Sequence, residues 1–573
     1  MKGRHQPIAR IVFRMKRWIL QGKRGIQNLT CPTPRFLTGD ALPFIIGEVR
    51  SPLRPDENPK EYLLTLGKIE NLRIALTKIH LIVIPAGEVF SFWKVIGRLS
   101  ASKGYVVGRE IREGCIIPTI GGGICQLTNS LYQLALFTGC EIVERHSHSM
   151  VLPGSESAKG ADATVAWNDI DLRFSPPVQI QIECSMSNSE LIVRFRSAEP
   201  FDSGSKIKSK HHLTVLNAGC CVTCGQSDCS RHSPKLEAKG DLRPTYVFDA
   251  AWPEWKHLVA DRPGKLLVSR STGNSGRFAW GDVDGQAPIA ALKRSLQARL
   301  DRNAPPPIVR RHQMDADVQI ASALSKKLTF QDDDLVIAIS LLAGLWTSGQ
   351  LAGRRFTVVM NRPPLSLLHR LLDDARSLET DSVHLSDFRA DQAIVAAEDH
   401  ALENCHRIIT CHVGFAGLMR SPVELRPWAE PQVVQVERVP KRLIVFPGPA
   451  TARNGSRSVR EAARILNLKV ALLGSMLESR DLWDGVELVE PMDWEAKCLA
   501  VVQPSVFEAR PSVLLRARAL DIPILASPMC GLMEGEYQSV NFGDCVSLVK
   551  ILAELICDSG LEPEVVGRSN APY

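Results

Sequence analysis

The chain has no apolar run long enough to cross a membrane, which argues against a transmembrane protein. None of its hydrophobic stretches approaches the roughly 18 residues that a spanning helix needs. Its first residues also lack the unbroken apolar core and the small-residue cleavage site of a secretory signal. We therefore expect a cytoplasmic protein in which the 15 cysteines stay reduced.

Internal repeats and low-complexity tracts are lacking as well, so ordinary globular domains are expected. The chain has 573 residues, of which 45% are hydrophobic and 23% are charged. These proportions are typical of folded proteins, and the length corresponds to about three domains.

Acidic residues are missing from the first 25 positions, which hold eight Lys or Arg, so that the rest of this +7 chain carries a net charge near −1. A helix here would set Arg10, Arg14 and Arg17 apart from an apolar face of Ile8, Ile11, Val12, Met15, Trp18 and Ile19. This pattern predicts peripheral contact of residues 1–25 with an anionic inner membrane; an ordinary surface helix is the alternative. Base-stacking aromatics are limited to Phe13 and Trp18, so nucleic acid is not expected as a partner.

Changes in composition along the chain predict several domains of two fold classes. Residues 1–60 form a basic lead-in, residues 61–200 an α+β domain, and residues 201–245 a polar junction. From residue 246 onward, short apolar strands alternate with helical runs, a pattern typical of a doubly wound α/β fold with parallel strands. Examples of these predicted strands are residues 356–360, 407–410, 442–446 and 470–473.

A run of three glycines precedes a cysteine in residues 121–126, GGGICQ. Glycines let the backbone turn tightly and bring its amides close to a ligand. Apolar residues at helical spacing follow up to position 137, so Cys125 should lie at a helix N-terminus. Free amides and the helix dipole stabilise a thiolate there, which makes Cys125 a candidate nucleophile.

Two histidines follow Cys125 on a predicted strand, residues 141–148. His146 or His148 would act as the base that a cysteine nucleophile needs, and Asp162 would orient the imidazole. Metal binding by Cys125, His146 and His148 is one alternative, and a buried structural cysteine is another.

The stretch from residue 71 to residue 197 resembles the VanW family. The matching segments are residues 85–93 (PAGEVFSFW), 121–126 (GGGICQ), 144–148 (ERHSH), 162–165 (DATV) and 169–172 (DIDL). The resemblance implies a role in the cell envelope or in the response to an antibiotic.

The junction holds a cluster of four cysteines and one histidine within residues 220–232. Cys221, Cys224, Cys229 and His232 supply the four soft ligands that a closed structural zinc site needs. An iron–sulfur cluster on the four cysteines is an alternative, as is a loop of reduced thiols.

A Pro-Ser turn follows a predicted strand that ends at residue 502, and the next helix is expected to begin at Pro511. Ligands of doubly wound sheets lie at the carboxyl ends of the strands, where Ser505 and Glu508 fall. The amides at the helix start could hold a diphosphate.

Residues 442–532 also resemble the C-terminal lobe of retaining GT-B glycosyltransferases, on the segments 445–448 (VFPG) and 502–527. The resemblance implies an acceptor lobe at 246–440 and a nucleotide-sugar lobe at 441–573. It assigns donor contacts to Gly448, Arg453, Ser505 and Glu508, and makes Glu508 a candidate catalytic residue. Arg516 occupies a further donor-contact position, where the family has its second glutamate, eight positions after the first.

These resemblances predict glycosyl transfer from a nucleotide sugar to a glycan or peptide acceptor, in the assembly of envelope glycans. Acyl-type chemistry at Cys125 would be a second activity. Because Arg516 removes an expected acidic group, a sugar- or peptide-binding accessory protein without catalysis is the alternative.

Overall fold

The computed structural model describes two compact units. The first comprises Met1–Leu242 together with Leu328–Asp333 and Gly349–Arg355, and the second comprises Arg243–Lys327, Asp334–Ser348 and Phe356–Tyr573. The residues that the structure describes are 22, 36–54, 61–112, 115–147, 162–167, 169–200, 243–272, 276, 278–387, 389–477 and 480–561.

Unit 1 combines short antiparallel sheets with three helices among its described residues. The strands are β1 (Phe44–Pro52), β2 (Ile82–Ile84), β3 (Phe90–Ser91), β4 (Val107–Arg112), β5 (Cys115–Ile120), β6 (Glu141–Glu144), β7 (Arg173–Ser175), β8 (Ile180–Met186) and β9 (Glu190–Ser197). The helices are α1 (Tyr62–Ile79), α2 (Phe92–Ile96) and α3 (Cys125–Phe137).

The main sheet of unit 1 has the strand order β1-β9-β8-β2, and its neighbours are antiparallel. Every second residue of β9 is buried, as expected for a strand with one face on the core. Phe195 of β9 packs near Phe174, which in turn contacts Phe90, with ring centroids 5.9 and 4.7 Å apart. These rings join the main sheet to a small sheet of order β3-β7-β6.

Unit 2 begins with a sheet whose described strands have the order β12-β11-β10-β13-β14-β15-β16. These are β10 (Thr245–Phe248), β11 (Lys265–Val268), β12 (Gly285–Gln286), β13 (Asp334–Ala338), β14 (Arg355–Met360), β15 (Arg407–Thr410) and β16 (Val423–Leu425). The helices are α4 (Pro253–Asp261), α5 (Pro288–Leu300), α6 (Pro306–Ser325), α7 (Ile339–Thr347), α8 (Leu365–Leu378), α9 (Gln392–Asn404) and α10 (Val413–Ala416).

A second sheet of unit 2 has the order β19-β18-β17-β20-β21-β22, with parallel neighbours throughout. Its strands are β17 (Leu443–Phe446), β18 (Lys469–Leu472), β19 (Leu488–Val489), β20 (Ala500–Gln503), β21 (Ile524–Ala526) and β22 (Gln538–Ser539). The helices are α11 (Ser456–Ile465), α12 (Trp494–Lys497), α13 (Ser512–Ala519) and α14 (Cys545–Asp558).

In both sheets of unit 2, the second and third strands in sequence are added on one side of the first strand, and the later strands are added on its other side. Numbered within each sheet, the strand order begins 3-2-1-4-5-6, which is that of a doubly wound fold. All four residues of β17 and of β20 are buried, because helices cover both faces of such sheets. The predicted fold class, an α+β region followed by doubly wound α/β sheets, is confirmed.

Helices able to span a bilayer are absent from the part of the chain that the structure describes.

Candidate functional site

The second sheet of unit 2 forms a switch point between β17 and β20, the place where such folds bind ligands. The loops that follow these two strands touch each other there. Gly455 has φ +82°, and a Cβ at this position would lie 2.6 Å from Pro504. Only glycine therefore allows the loop before α11 to approach the loop after β20.

The predicted residues Arg453, Ser505 and Glu508 come together at this edge. The backbone amide of Val506 donates to the carbonyl oxygen of Arg453 at 2.8 Å, which joins the two loops. The positive charge of Arg453 acts on Glu508 and favours its carboxylate form. The structure thus groups residues that are more than 50 positions apart in the sequence.

Glu508 is held by its own loop and strand. Its two carboxylate oxygens accept hydrogen bonds from Gln503 Nε2 at 2.8 Å and from the backbone amide of Arg510 at 3.1 Å. Burial nevertheless raises the pKa of Glu508 above its ordinary value, against the opposing effects of these hydrogen bonds and of Arg453. The carboxylate is therefore fixed in place before any ligand arrives.

Three hydroxyl groups in these loops and at the first residue of α11 are buried and have no hydrogen-bond partner among the described residues. They belong to Thr451, Ser456 and Ser505. Buried polar groups are rarely left unpaired, because the loss of water costs free energy. Three such groups at a switch point are donors to which a phosphate oxygen could bind.

The other two predicted donor contacts are engaged within the protein. Arg516 forms an ion pair with Glu495 of α12. Gly448 lies in a tightly packed loop, because a Cβ there would come within 2.9 Å of Asn454 Nδ2.

His412 occupies the same edge, and sequence reasoning did not single it out. It is fully buried, and its Nε2–H donates to the carbonyl oxygens of Glu508 and Met529 at 3.2 and 3.1 Å. Burial lowers the pKa of His412 to about 4, so the ring is neutral at physiological pH. The sequence feature that belongs to this contact is Gly531. Its φ is +78°, and a Cβ at this position would lie 2.6 Å from the imidazole of His412.

An acidic pair lies at the carboxyl edge of the first sheet of unit 2, and it too was missed. Asp249 follows β10, and its Oδ1 is buried without a hydrogen-bond partner among the described residues. Burial and the charge of Asp249 raise the pKa of Asp317 to about 7, although Arg294 donates to Asp317 Oδ1 at 3.2 Å. The open oxygen of Asp249 is a candidate acceptor for a ligand hydroxyl.

In unit 1, Cys125 is the first residue of α3, as predicted. Its Sγ lies 3.7 Å from Thr164 Oγ1, and the backbone of Thr164 pairs with that of His146 in an antiparallel bridge. Directly paired residues of antiparallel strands point to the same side. Thr164 therefore places the thiol and the imidazole on one side of this bridge.

The acid that the structure places beside the imidazole is Glu144, with Oε1 3.6 Å from His146 Nε2. Sequence reasoning missed it, although two residues apart on a strand is the spacing of one face. Asp162 is buried, and its carbonyl oxygen accepts from Arg145 Nε at 2.7 Å. His148 lies outside the described residues, so its predicted role as the base remains a prediction.

The glycine run before Cys125 has a steric explanation. Gly121 and Gly123 have φ +79° and +96°, and a Cβ on Gly123 would lie 2.0 Å from Lys68 Cγ. Asn71 Nδ2 donates to the Gly122 carbonyl oxygen at 2.9 Å. The run is therefore a packed turn whose form is fixed by α1.

The predicted zinc ligands Cys221, Cys224, Cys229 and His232 lie outside the described residues. Across the described ranges, no group of three or more His, Cys, Asp or Glu side chains is arranged to hold a metal ion. The zinc site therefore remains a prediction.

Comparison with known proteins identifies relatives for unit 1. Residues 67–196 match the family model described as VanW like protein. Vancomycin B-type resistance protein VanW of Enterococcus faecalis is 28% identical over 156 residues, which cover 26% of this chain and 57% of that protein. The uncharacterized protein YoaR of Bacillus subtilis is 31% identical over 135 residues, covering 23% and 44%. The chain thus spans about half the length of these curated relatives.

Solved structures similar to more than half of the chain include glycosyltransferases. The lipopolysaccharide outer core galactosyltransferase WaaB is 10% identical with a TM-score of 0.34, covering 55% of this chain and 90% of its own. An α,α-trehalose-phosphate synthase from Burkholderia vietnamiensis is 9% identical with the same TM-score and the same coverage. Medicago truncatula UGT71G1, complexed with UDP-glucose, is 9% identical with a TM-score of 0.30, covering 55% and 93%.

The doubly wound character of unit 2 follows from the strand order of this chain and not from these low scores. For unit 1, the five segments that resemble the VanW family, residues 85–172, all lie within the range that the family model matches. Residues 67–196 are a VanW-like domain.

Proposed function

We propose that the chain is a glycosyltransferase that takes a nucleoside-diphosphate sugar at the carboxyl edge of the second sheet of unit 2. The observation that carries the proposal is the set of buried, unpaired hydroxyls of Thr451, Ser456 and Ser505. They lie in the two loops that meet at the switch point and at the start of α11, in the same region as the cationic side chain of Arg453. Hydroxyl donors, a cation and two helix N-termini are the groups that bind a diphosphate.

The reaction would form a bond between the anomeric carbon of the donor and an acceptor hydroxyl oxygen. The bond from that carbon to the diphosphate would break, the nucleoside diphosphate would leave with the electron pair, and an oxygen of the departing phosphate would take up the proton of the acceptor hydroxyl. Glu508 would hold the sugar, because its carboxylate is already fixed by Gln503 and by the amide of Arg510. A glycan or a peptide of the cell envelope is the proposed acceptor, in line with the VanW-like domain on the same chain.

Titration calorimetry with UDP-, GDP- and ADP-glucose tests the donor site. At least one of these should bind to the full chain, and Arg453→Ala should weaken binding by about tenfold or more because a charge-assisted contact is lost. Arg464→Ala is the matched control. Arg464 lies at the far end of α11 and pairs with Glu461 on the exposed surface, so its loss should leave affinity unchanged.

Two results would count against this proposal. One is the absence of binding heat for every nucleotide sugar with a correctly folded protein. The other is an equal loss of affinity in Arg453→Ala and Arg464→Ala, because the contribution of Arg453 would then not be specific to the crevice.

A second candidate function is sugar binding without transfer. It is favoured by Arg516, which replaces the second glutamate of the GT-B family that this lobe resembles. Arg516 forms an ion pair with Glu495. Release of the free nucleoside diphosphate separates the two candidates. A transferase should release it slowly from the bound donor even without an acceptor, whereas a binding protein should leave the donor intact.

For unit 1 we propose that Cys125 is a reactive thiol with His146 as its base and Glu144 as the group that orients the imidazole. The contacts through Thr164 and Glu144 support this assignment. Asp162 and His148 remain proposed members of the same site. Metal binding by the cysteine and the histidines is the competing proposal.

Alkylation by iodoacetamide, followed by mass spectrometry of individual sites, tests the proposed thiol. Cys557 of α14 is exposed and serves as an internal reference, whereas Cys125 is partly buried. Accessibility alone predicts that Cys557 reacts faster. A thiolate at Cys125 predicts the reverse order, together with a slower reaction of Cys125 in His146→Ala. A slow Cys125 that is indifferent to His146→Ala would contradict the proposal.

We also propose that Cys221, Cys224, Cys229 and His232 hold one structural zinc ion. Elemental analysis of protein purified without added metal should give about one zinc per chain. Iron at a similar level would instead indicate the cluster alternative.

A further inference from the structure

Helix α5 presents a continuous apolar stripe to solvent. Ile289, Leu292, Leu296 and Leu300 are 73%, 60%, 48% and 77% exposed. At about 100° per residue, these positions fall within roughly 80° of the helix circumference. The buried residue of the helix, Ala291, lies on the far side. The stripe is therefore a coherent surface and not a scatter of single exposed side chains.

Exposed cations border this stripe. Residues 288–313 contain six Lys or Arg and a single acid, Asp301. Four of the six cations are exposed, namely Lys293, Arg299, Arg302 and Arg311, whereas Arg294 is paired with Asp317. Asp301 is buried and contacts His312 Nδ1 at 3.0 Å, so it does not offset the surface charge. Lys293 and Arg299 are exposed and fall on opposite flanks of the stripe at the helical spacing of about 100° per residue.

The surface continues beyond the end of α5. Arg302 is exposed, and so are the three consecutive prolines 305–307 that open α6. Ile308, which follows them, is 43% exposed. Apolar groups with cations at the edge thus extend from the helix into the following turn.

We propose that α5 docks on an anionic lipid surface, with the stripe entering the boundary between headgroups and acyl chains. A helix with an apolar face and cationic flanks is suited to this position. The charge of the patch identifies its occupant. A second copy of the chain, meeting the same patch across a two-fold axis, would bring like charges together.

Two stretches of this chain that lie largely outside the described residues are also poor occupants on grounds of charge. Residues 1–35 carry nine Lys or Arg and no acid, and residues 201–242 carry six against four acids. Both would be repelled by the cationic flanks of α5. This surface is distinct from residues 1–25, so α5 would provide a second membrane contact and would hold unit 2 at the bilayer, independently of the proposed transfer reaction.

Co-sedimentation of the full chain with vesicles tests the proposal. One set is phosphatidylcholine alone, and the other contains equal parts of phosphatidylcholine and phosphatidylglycerol. The wild type should bind the anionic vesicles, less strongly as salt is raised. Leu292→Ser/Leu296→Ser should lower the partition coefficient by about tenfold or more, because two side chains no longer enter the boundary. Lys293→Gln/Arg299→Gln should lower the partition coefficient for the anionic vesicles and leave that for phosphatidylcholine vesicles unchanged.

Leu378→Ser/Val546→Ser is the matched control, because these side chains are 67% and 82% exposed outside the stripe. It should bind as the wild type does, and all variants should have wild-type circular dichroism. A further variant that lacks residues 1–25 should retain binding that the stripe substitutions abolish.

Three results would overturn the proposal. The first is unchanged vesicle binding in Leu292→Ser/Leu296→Ser. The second is complete loss of binding on removal of residues 1–25. The third is a wild-type dimer that the stripe substitutions convert to a monomer, because a second copy would then cover the stripe.

Discussion

The substitution Asp333→Ala should destabilise unit 1 strongly, because Asp333 is the shared acceptor of a buried polar network. Arg54 Nη2 donates to Asp333 Oδ1 at 2.5 Å, and the hydroxyl of Tyr62 donates to Oδ2 at 2.8 Å. The side chains of Arg54 and Asp333 are only 8% and 4% exposed. Removal of the carboxylate would leave a guanidinium and a hydroxyl buried without their partner.

The expected cost follows from this burial. Breaking a buried ion pair from one side typically costs about 3–5 kcal/mol, because the remaining charge is uncompensated. Arg54 keeps two contacts, to the carbonyl oxygens of Gly353, at 2.9 Å, and of Asn188, so we expect a value near the lower limit, about 3 kcal/mol. Asp333→Asn retains one acceptor and should cost less than Asp333→Ala.

Hydrogen exchange of helix α1 is the appropriate assay, because it reports the opening of unit 1 separately from unit 2. A loss of about 3 kcal/mol corresponds to roughly a hundredfold lower protection. The control is Glu190→Ala in unit 1, which breaks an ion pair with Arg50 whose side chains are 39% and 49% exposed, and which should cost less than about 1 kcal/mol. Similar protection of α1 in Asp333→Ala and in the wild type would refute the reasoning.

Two further predictions concern unit 2. Burial lowers the pKa of His412 to about 4 from an ordinary value of 6.5, so the unfolded chain binds more protons between these values. Stability should therefore fall by about 3 kcal/mol as the pH falls from 6.5 to 4, and His412→Gln should show less of this loss in urea unfolding at pH 7 and pH 5. Gly455→Ala should lower the melting temperature, because φ is +82° and Pro504 leaves no room for a Cβ. The control is Gly560→Ala, where φ is +66° but no neighbour lies within 4 Å of a Cβ. It should lower the melting temperature less.

The parallel sheets of unit 2 could be predicted because their strands are buried on both faces. Such strands are short, unbroken apolar runs that stand out between polar helical segments. The predicted strands 407–410 and 442–446 correspond to Arg407–Thr410 and Leu443–Phe446. The helix predicted from Pro511 is found as Ser512–Ala519.

The donor crevice could be predicted only in part. A general rule places ligands at the carboxyl ends of parallel strands, and this rule pointed to Ser505 and Glu508, whereas Arg453 was assigned by the resemblance to the glycosyltransferase lobe. The rule says nothing about residues that reach the same edge from other loops. His412 contacts Glu508 across 96 positions of sequence, and no local pattern encodes such a contact.

Two short segments of unit 1 lie outside residues 61–200, the range predicted for its domain, and contacts between distant parts of the sequence are again the reason. Leu328–Asp333 and Gly349–Arg355 group with the N-terminal region. Buried polar contacts join them to it: Asp333 meets Arg54, and Arg73 Nε donates to the Ala352 carbonyl oxygen at 2.9 Å. A boundary drawn from composition assigns continuous stretches of sequence, so it cannot separate loops of a few residues from the strands beside them.

The glycine run of residues 121–126 shows how one sequence feature can have two physical causes. As a sequence, it suggests amides that approach a ligand next to Cys125. In the structure, a Cβ on Gly121 would lie 2.5 Å from Leu99, and one on Gly122 would lie 2.5 Å from the backbone of Gly108. The fold would need these glycines even if Cys125 had no chemistry. Gly123→Ala should therefore impair folding, whereas Cys125→Ser should leave the fold intact and remove only the reactive thiol. The glycine run is thus no evidence for catalysis, and the case for it depends on Cys125 and its neighbours alone.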